Sequence, residues 1–127
     1  MYKKILAGVI GIALLSVILA ACNIVDSSTL VTGPQVQMGG STFLKPTITL
    51  QKGQTLTLVD TSSSPHIITN GTWQGGTPKH MQESGAPTLN ISFAGSDTHT
   101  TPAFTTAGTY LVYCTIHSGM NLTVIVQ

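Results

Sequence analysis

The chain has 127 residues, of which 42% are hydrophobic and only 7% charged, and its formal net charge is +1. It contains five lysines and no arginine, so it lacks the basic face that binding to nucleic-acid phosphates requires. The low charge also argues against strong electrostatic steering toward a charged partner.

The amino-terminal segment has the pattern of an export signal. Lys3 and Lys4 precede an apolar run from residue 5 to 19, and small residues then lead to Cys22. This order is typical of a secretory signal peptide, and a cysteine directly after small residues resembles the lipobox of bacterial lipoproteins. We therefore predict a signal peptide over residues 1–21 and lipid attachment at Cys22. A transmembrane anchor is the alternative, because the run is only slightly shorter than the roughly 20 residues that span a bilayer.

Both interpretations place the folded part outside the cytoplasm, held to a bacterial membrane. Residues 22–35 are short on core-forming periodicity and contain Ser, Thr, Gly and Pro, which predicts a flexible tether. With Cys22 lipidated, Cys114 is the single remaining thiol of an exported domain, where free thiols meet oxidants. It is either a small buried apolar side chain or a metal ligand.

Residues 36–127 show the alternation of apolar and polar residues that is typical of short β-strands. The alternation runs through residues 47–50, a turn follows at Lys52-Gly53-Gln54, and it continues through residues 55–58, which predicts a β-hairpin with one buried face. We predict further strands at residues 66–69, 89–93, 109–115 and 121–126, and a long loop over residues 70–87 with one short helical turn near 80–83. The fold class that follows is all-β, a Greek-key β-sandwich formed by one domain of residues 36–127.

The last two predicted strands place chemically important side chains. Side chains two residues apart lie on the same face of a strand, so Cys114 shares the face of Val112, and Met120 shares the face of Leu122. Because Val112 and Leu122 belong to the obvious core face, Cys114 and Met120 should point into the interior at one end of the sandwich. The turn between them carries His117.

A thiolate, an imidazole and a thioether thus fall within seven residues. Two imidazoles and a cysteine with a weakly bound methionine form the blue-copper combination. Thiolate and thioether favour Cu(I), whereas imidazole also accepts Cu(II), so such a site holds either state with little rearrangement. His66 is the best-placed second imidazole, because it begins a predicted strand after Ser62-Ser63-Ser64-Pro65, where a loop can bring it beside the 114–120 turn.

With these residues in place, the chain resembles the cupredoxins of the plastocyanin, pseudoazurin and amicyanin group over nearly all of residues 36–127. The resemblance rests on the strand pair Pro46–Leu58, on Ser64-Pro65-His66, and on the segment from Phe104 to Met120. It implies one type 1 copper ion with four protein ligands, namely His66, Cys114, His117 and Met120. The two-residue gaps on either side of His117 match the short ligand loop of the amicyanin type.

The resemblance also implies the function. Four protein ligands leave no open coordination position for a substrate, so we expect a single-electron carrier and not an enzyme. Its partners would be a redox donor and an acceptor, such as a cytochrome or an oxidase, together with the membrane through the lipid anchor, and the protein would be a monomer. The electron exit would be the ring edge of His117 under a small apolar patch, whose expected members are Met38, Gly39, Gly40, Pro87 and Ile116.

Two positions depart from the family pattern. Ile116 stands where many members have Pro before the downstream His, and Ile67 stands where many have Asn after the upstream His. A side-chain bond tying the two ligand loops together therefore needs another residue, for which Asp60 and Ser62 are the candidates.

The alternative function is a copper carrier or scavenger on the cell surface. His80, Met81 and His99 form a second possible soft-metal cluster that could help to capture copper. Their spacing fixes no geometry, and exposed loop residues are the simpler interpretation.

Overall fold

A computed structural model describes residues 33–127 of the chain. The predicted signal peptide, the lipidation site at Cys22 and nearly all of the tether lie outside the described residues. Within the described range the regular secondary structure is entirely β, with nine strands. None of these residues forms a helix that could cross a membrane.

The strands are short and follow one another at close intervals, as the alternating sequence predicts. In chain order they are β1 (Gln35–Met38), β2 (Thr47–Leu50), β3 (Thr57–Asp60), β4 (His66–Gln74), β5 (Thr77–His80), β6 (Asn90–Phe93), β7 (Thr98–Thr100), β8 (Gly108–Cys114) and β9 (Asn121–Val126).

These strands form two mixed sheets. The smaller sheet has the order β1-β3-β7, with β1 parallel and β7 antiparallel to β3. In the larger sheet β2 lies parallel to β9, and β9, β8 and β4 follow as antiparallel neighbours. β6 pairs with the first half of β4 and β5 with its second half. One apolar cluster contains residues of both sheets, so the predicted all-β sandwich is confirmed.

The predicted hairpin over residues 47–58 is wrong, although the chain does turn there. The amide of Gln54 donates to the carbonyl oxygen of Gln51 at 3.1 Å, but β2 then pairs with β9 while β3 pairs with β1 and β7. Leu50 and Leu58 are both in the core. Alternation shows which residues are buried but not which strand lies next to them, so it cannot distinguish a hairpin from a chain that crosses between sheets.

The loop predicted for residues 70–87 is wrong over its first half. β4 continues to Gln74 and pairs with β5 across Gly75 and Gly76, whose φ angles of 53° and 78° are those that a two-residue hairpin turn needs. The predicted helical turn near 80–83 is also absent from the described chain. A turn lies slightly later instead, where the amide of Ala86 donates to the carbonyl oxygen of Glu83.

A glycine in the middle of β4 permits a close approach between neighbouring segments. Gly71 has a φ of 129°, and a Cβ there would collide with the carbonyl oxygen of Lys79 and lie 2.8 Å from the ring of Tyr113. Only glycine fits this conformation in so little space. Two residues further on, the backbone amide of Trp73 donates to Oδ1 of Asn121 at the start of β9.

Candidate metal centre

The facing ends of β8 and β9 carry three of the four predicted ligands. β8 ends at Cys114 and β9 begins at Asn121. The amide of Cys114 donates to the carbonyl oxygen of Met120 at 3.0 Å. The amide of Met120 in turn donates to the carbonyl oxygen of His117 at 3.2 Å. The segment therefore closes into a tight turn. Cys114 and Met120 are 0% and 1% exposed, so the inward direction predicted from strand parity is confirmed.

The fourth predicted ligand comes from the neighbouring strand. His66 begins β4, in which Ile68 is paired with Cys114 of β8. The amide of Thr115 donates to the carbonyl oxygen of Ile67 at 2.9 Å, which holds the start of β4 against the end of β8. His66 is fully buried, because its strand lies inside the larger sheet between β8 and β6.

Two imidazole nitrogens and one sulfur converge at this end of the sandwich. The Nδ1 atom of His117 lies 3.2 Å from Nδ1 of His66 and 3.4 Å from Sγ of Cys114. The ligand atoms of these three residues lie within 4.8 Å of one another. Among residues 33–127, this is the one group of three or more His, Cys, Asp or Glu side chains with metal-binding geometry. His117 is partly exposed and the other two are buried.

This arrangement fits a metal ion of intermediate softness. Two nitrogens that each ligate the same ion at about 2.0 Å lie no more than about 4 Å apart, and the two Nδ1 atoms meet that limit. A thiolate with two imidazoles is the equatorial donor set of a blue-copper site. The thioether of Met120, buried at the same end of the core, is the matching weak donor.

A buried carboxylate faces the other edge of the His66 ring. The Nε2 atom lies 3.8 Å from Oδ1 of Asp60, and both side chains are completely buried. Neither Nε2 of His66 nor Oδ2 of Asp60 has a hydrogen-bond partner among residues 33–127. At 3.8 Å the carboxylate is too far away for a hydrogen bond to Nε2, so it acts on the imidazole through its negative charge.

Burial also favours the neutral form of the His66 imidazole. It lowers the pKa of His66 below the ordinary value, because a charged imidazole is poorly solvated there. The carboxylate of Asp60 opposes this shift in pKa, and the neighbouring His117 reinforces it. The neutral ring that results is the form that binds a metal ion.

A residue that sequence reasoning missed contacts the backbone of Cys114. The amide and the hydroxyl of Ser62 both donate to Oδ1 of Asp60 at 2.9 Å, and neither residue bonds to the 114–120 segment in the described chain. The expectation that Asp60 or Ser62 ties the loops together is therefore wrong. Instead, Nε1 of Trp73 donates to the carbonyl oxygen of Cys114 at 2.7 Å. The glycine pair at 75–76 was the signal that could have placed Trp73 on a strand.

The second possible soft-metal cluster does not form. His80 ends β5 in the larger sheet, whereas His99 lies in β7 of the smaller one, and both are exposed. Met81 is 42% exposed. His99 bonds instead to Asp97, with 3.1 Å between Nε2 and Oδ2.

The surface beside His117 is apolar in part. Ile116, which directly precedes His117, is 47% exposed. Met38 was expected in the same patch, but it is completely buried and so belongs to the core.

Comparison with known proteins gives a consistent result. The sequence model of the copper-binding proteins of the plastocyanin/azurin family matches residues 31–127. An amicyanin structure from Paracoccus versutus (Thiobacillus versutus) is similar with a TM-score of 0.60 and 21% identity, over 79% of this chain and 86% of that one. A reduced Cu(I) form of an amicyanin mutant at pH 4 is similar with a TM-score of 0.60 and 20% identity, over 79% and 87% of the two chains. No curated protein sequence matches the chain.

Proposed function

This chain belongs to the plastocyanin/azurin family of copper-binding proteins, and from that premise we propose that it carries single electrons between redox partners outside the cytoplasm. Its cofactor is copper. We assign His66, Cys114 and His117 as the residues that would bind copper strongly and Met120 as the weak fourth ligand. The convergence of two Nδ1 atoms and one sulfur in a mostly buried cluster carries the proposal.

Bound copper supplies one-electron exchange between Cu(I) and Cu(II). The chain contributes a donor set that suits both states and a backbone that resists rearrangement. Cys114 is held by its bond to Met120, and the start of β4 is held by its bond to Thr115. Small rearrangement between oxidation states is what fast electron transfer requires. With four protein ligands no position stays open for a substrate, so we expect a carrier without enzymatic turnover.

The partly exposed ring of His117 is the proposed point of electron entry and exit. It lies beside the exposed side chain of Ile116 on a domain with few charges. A partner protein that docks on this apolar surface would bring its own redox centre close to the ring edge. Association of this kind depends little on salt, because few charged groups are available for steering.

The proposal also includes a location. The amino-terminal segment with its lipobox-like ending supports lipid attachment at Cys22 and a domain tethered to the outer side of a bacterial membrane. We propose that the monomeric domain moves between a membrane-associated donor and acceptor within the reach of residues 22–35.

Stopped-flow electron exchange with a cytochrome tests the proposed function. Reduced protein loaded with copper should reduce the ferric haem in a bimolecular reaction, followed by haem absorbance, while the Cys114→Ser variant should not. A parallel competition with a Cu(I) chelator measures how readily copper leaves. Rapid loss of copper to the chelator without electron exchange would contradict the proposal and favour the copper carrier.

A further inference from the structure

Trp73 makes an unusual contact with the residue that we assign as the thiolate ligand. It is the only tryptophan in the sequence, and its indole Nε1 donates to the backbone carbonyl oxygen of Cys114 at 2.7 Å. This is a short hydrogen bond between a side chain and a backbone group that are 41 residues apart. The indole does not bond to the sulfur, so any effect on the metal would act through the backbone of Cys114.

The same residue is also fixed to the other end of the ligand segment. The amide of Trp73 donates to Oδ1 of Asn121 at 2.7 Å, and Nδ2 of Asn121 donates to the carbonyl oxygen of Trp73 at 3.1 Å. Asn121 directly follows Met120, the assigned weak ligand. One residue therefore holds the segment 114–120 at both of its ends.

The peptide group after Cys114 is bonded on both sides to a single strand. Its carbonyl oxygen accepts from Trp73, and its amide, that of Thr115, donates to Ile67. Ile67 and Trp73 both belong to β4, the strand that begins with His66. Strand β4, which carries His66, thus holds the peptide group between Cys114 and Thr115 by two hydrogen bonds. These bonds set the position of Cys114 relative to His66.

The orientation of the indole is fixed by its surroundings. The Trp73 ring packs edge-to-face on Tyr113, with 6.1 Å between the ring centroids and 85° between the planes. The positive φ of Gly71 allows β4 to pass close to the Tyr113 ring. Trp73 is half-buried, so its bond to Cys114 is partly shielded from competing water.

We propose that Trp73 is a positioning residue of the copper site, which fixes the backbone of Cys114 and thereby the direction of its thiolate. The proposal rests on the ligand assignment made above. Removing the indole N–H releases the carbonyl oxygen of Cys114 and lets the thiolate change its angle to the metal. Copper affinity falls, and the energy of the thiolate-to-copper charge-transfer band and the Cu(II) hyperfine splitting both change.

Replacement of a single atom tests this role. Because the chain has one tryptophan, growth with β-(benzothien-3-yl)alanine replaces Trp73 alone by a ring system of nearly the same shape that lacks the N–H donor. We expect a shifted charge-transfer band, a changed hyperfine splitting and a copper dissociation constant raised roughly tenfold. Protein that contains 5-fluorotryptophan, which keeps the N–H group, should retain the band and the affinity of the unmodified protein.

Two conventional variants separate positioning from stability. Trp73→Phe removes the donor, while Tyr110→Phe removes a similar bond far from the metal, from the Tyr110 hydroxyl to the carbonyl oxygen of Thr106 at 2.8 Å. Both changes should lower the melting temperature, but only Trp73→Phe should alter the band. An unchanged band and affinity in both the benzothienyl protein and Trp73→Phe would overturn the positioning role alone. Absence of the band from the unmodified protein would overturn the ligand assignment as well.

Discussion

Two histidine–aspartate pairs lie side by side in this domain and differ in almost every respect. The pair of His66 and Asp60 is completely buried, with 3.8 Å between Nε2 and Oδ1. The pair of His99 and Asp97 is partly exposed, with 3.1 Å between Nε2 and Oδ2. The amide of Asp60 donates to the carbonyl oxygen of Asp97 at 2.9 Å, so the two aspartates are neighbours, although His66 lies in the larger sheet and His99 in the smaller one.

The exposed pair is satisfied by the protein itself. The carboxylate of Asp97 accepts from the amides of Ala94 and Gly95 as well as facing His99. Desolvation alone would raise the pKa of Asp97, but these hydrogen bonds outweigh it and hold the pKa below its ordinary value. The His99 ring also packs edge-to-face on Phe93, with 4.7 Å between centroids.

The buried pair is left incomplete, since Nε2 of His66 and Oδ2 of Asp60 have no partner among residues 33–127. Unsatisfied polar atoms in the interior are costly and therefore rare. The carboxylate of the exposed pair therefore closes a turn through its hydrogen bonds to Ala94 and Gly95, whereas that of the buried pair places a negative charge beside a proposed metal ligand.

Replacement of each histidine by alanine should give the largest difference in copper binding between the two pairs. His66→Ala deletes a proposed ligand, so we expect loss of the native charge-transfer band and a copper dissociation constant raised by more than roughly 100-fold, beyond the effect of an outer-shell change. His99→Ala should leave both quantities unchanged. Absorption spectra during copper titration measure both, and a native band in His66→Ala would refute the assignment.

Replacement of each aspartate should give the next largest contrast. Asp60→Asn removes a carboxylate behind His66, so the copper dissociation constant should rise about 10- to 100-fold. The reduction potential should rise too, because a negative charge near the site stabilises Cu(II) more than Cu(I). Asp97→Asn should raise the potential by less, because the charge of Asp97 also acts on His66 but more weakly than that of Asp60. Spectroelectrochemical titration measures the reduction potentials of both variants. Equal potentials would show that the Asp60 carboxylate has no particular influence on the metal site.

Ser62 should show a smaller effect that acts through Asp60. Its hydroxyl donates to Oδ1 of Asp60 at 2.9 Å, and its loss in Ser62→Ala should cost about 1 kcal/mol of unfolding free energy. The exposed neighbour Ser63 provides the matched control, and Ser63→Ala should unfold like the native protein in urea. Identical midpoints for the two variants would contradict a role for the hydroxyl.

The smallest effect should be the acid dependence contributed by Asp97. Its pKa is lowered in the folded state, so its stabilising contribution is complete above the unfolded pKa of about 3.9 and is lost as the pH falls through the lower folded value. Asp97→Asn should therefore lose less stability than the native protein between pH 5 and pH 2, by about the contribution of that one group. Urea unfolding across this range measures it, and parallel pH profiles would contradict the origin of the shift.

Local patterns allowed the metal-bearing end to be predicted from sequence. Parity along β8 and β9 correctly placed Cys114 and Met120 in the interior, and the bounds predicted for β9 agree with the structure. His66 was brought beside them by its place at the start of a predicted strand and by resemblance, because nothing in the local sequence specifies that Ile68 pairs with Cys114.

The parts that could not be predicted depend on contacts between distant segments. The alternation in β2 and β3 is real, but their partners are β9 and β1, far away along the chain. Trp73 lies in a stretch whose glycines and proline indicated a loop, and its bond to Cys114 needs the conformation of Gly71. Only the folded backbone reveals such a contact.

The absorption and EPR spectra of the copper-loaded protein test the assignment of His66, Cys114, His117 and Met120 as the ligands of a type 1 copper site. We predict an intense thiolate-to-copper charge-transfer band in the visible range and an unusually small Cu(II) hyperfine splitting, both lost in Cys114→Ser. A colourless Cu(II) complex with ordinary hyperfine splitting, unaffected by Cys114→Ser, would contradict this ligand assignment.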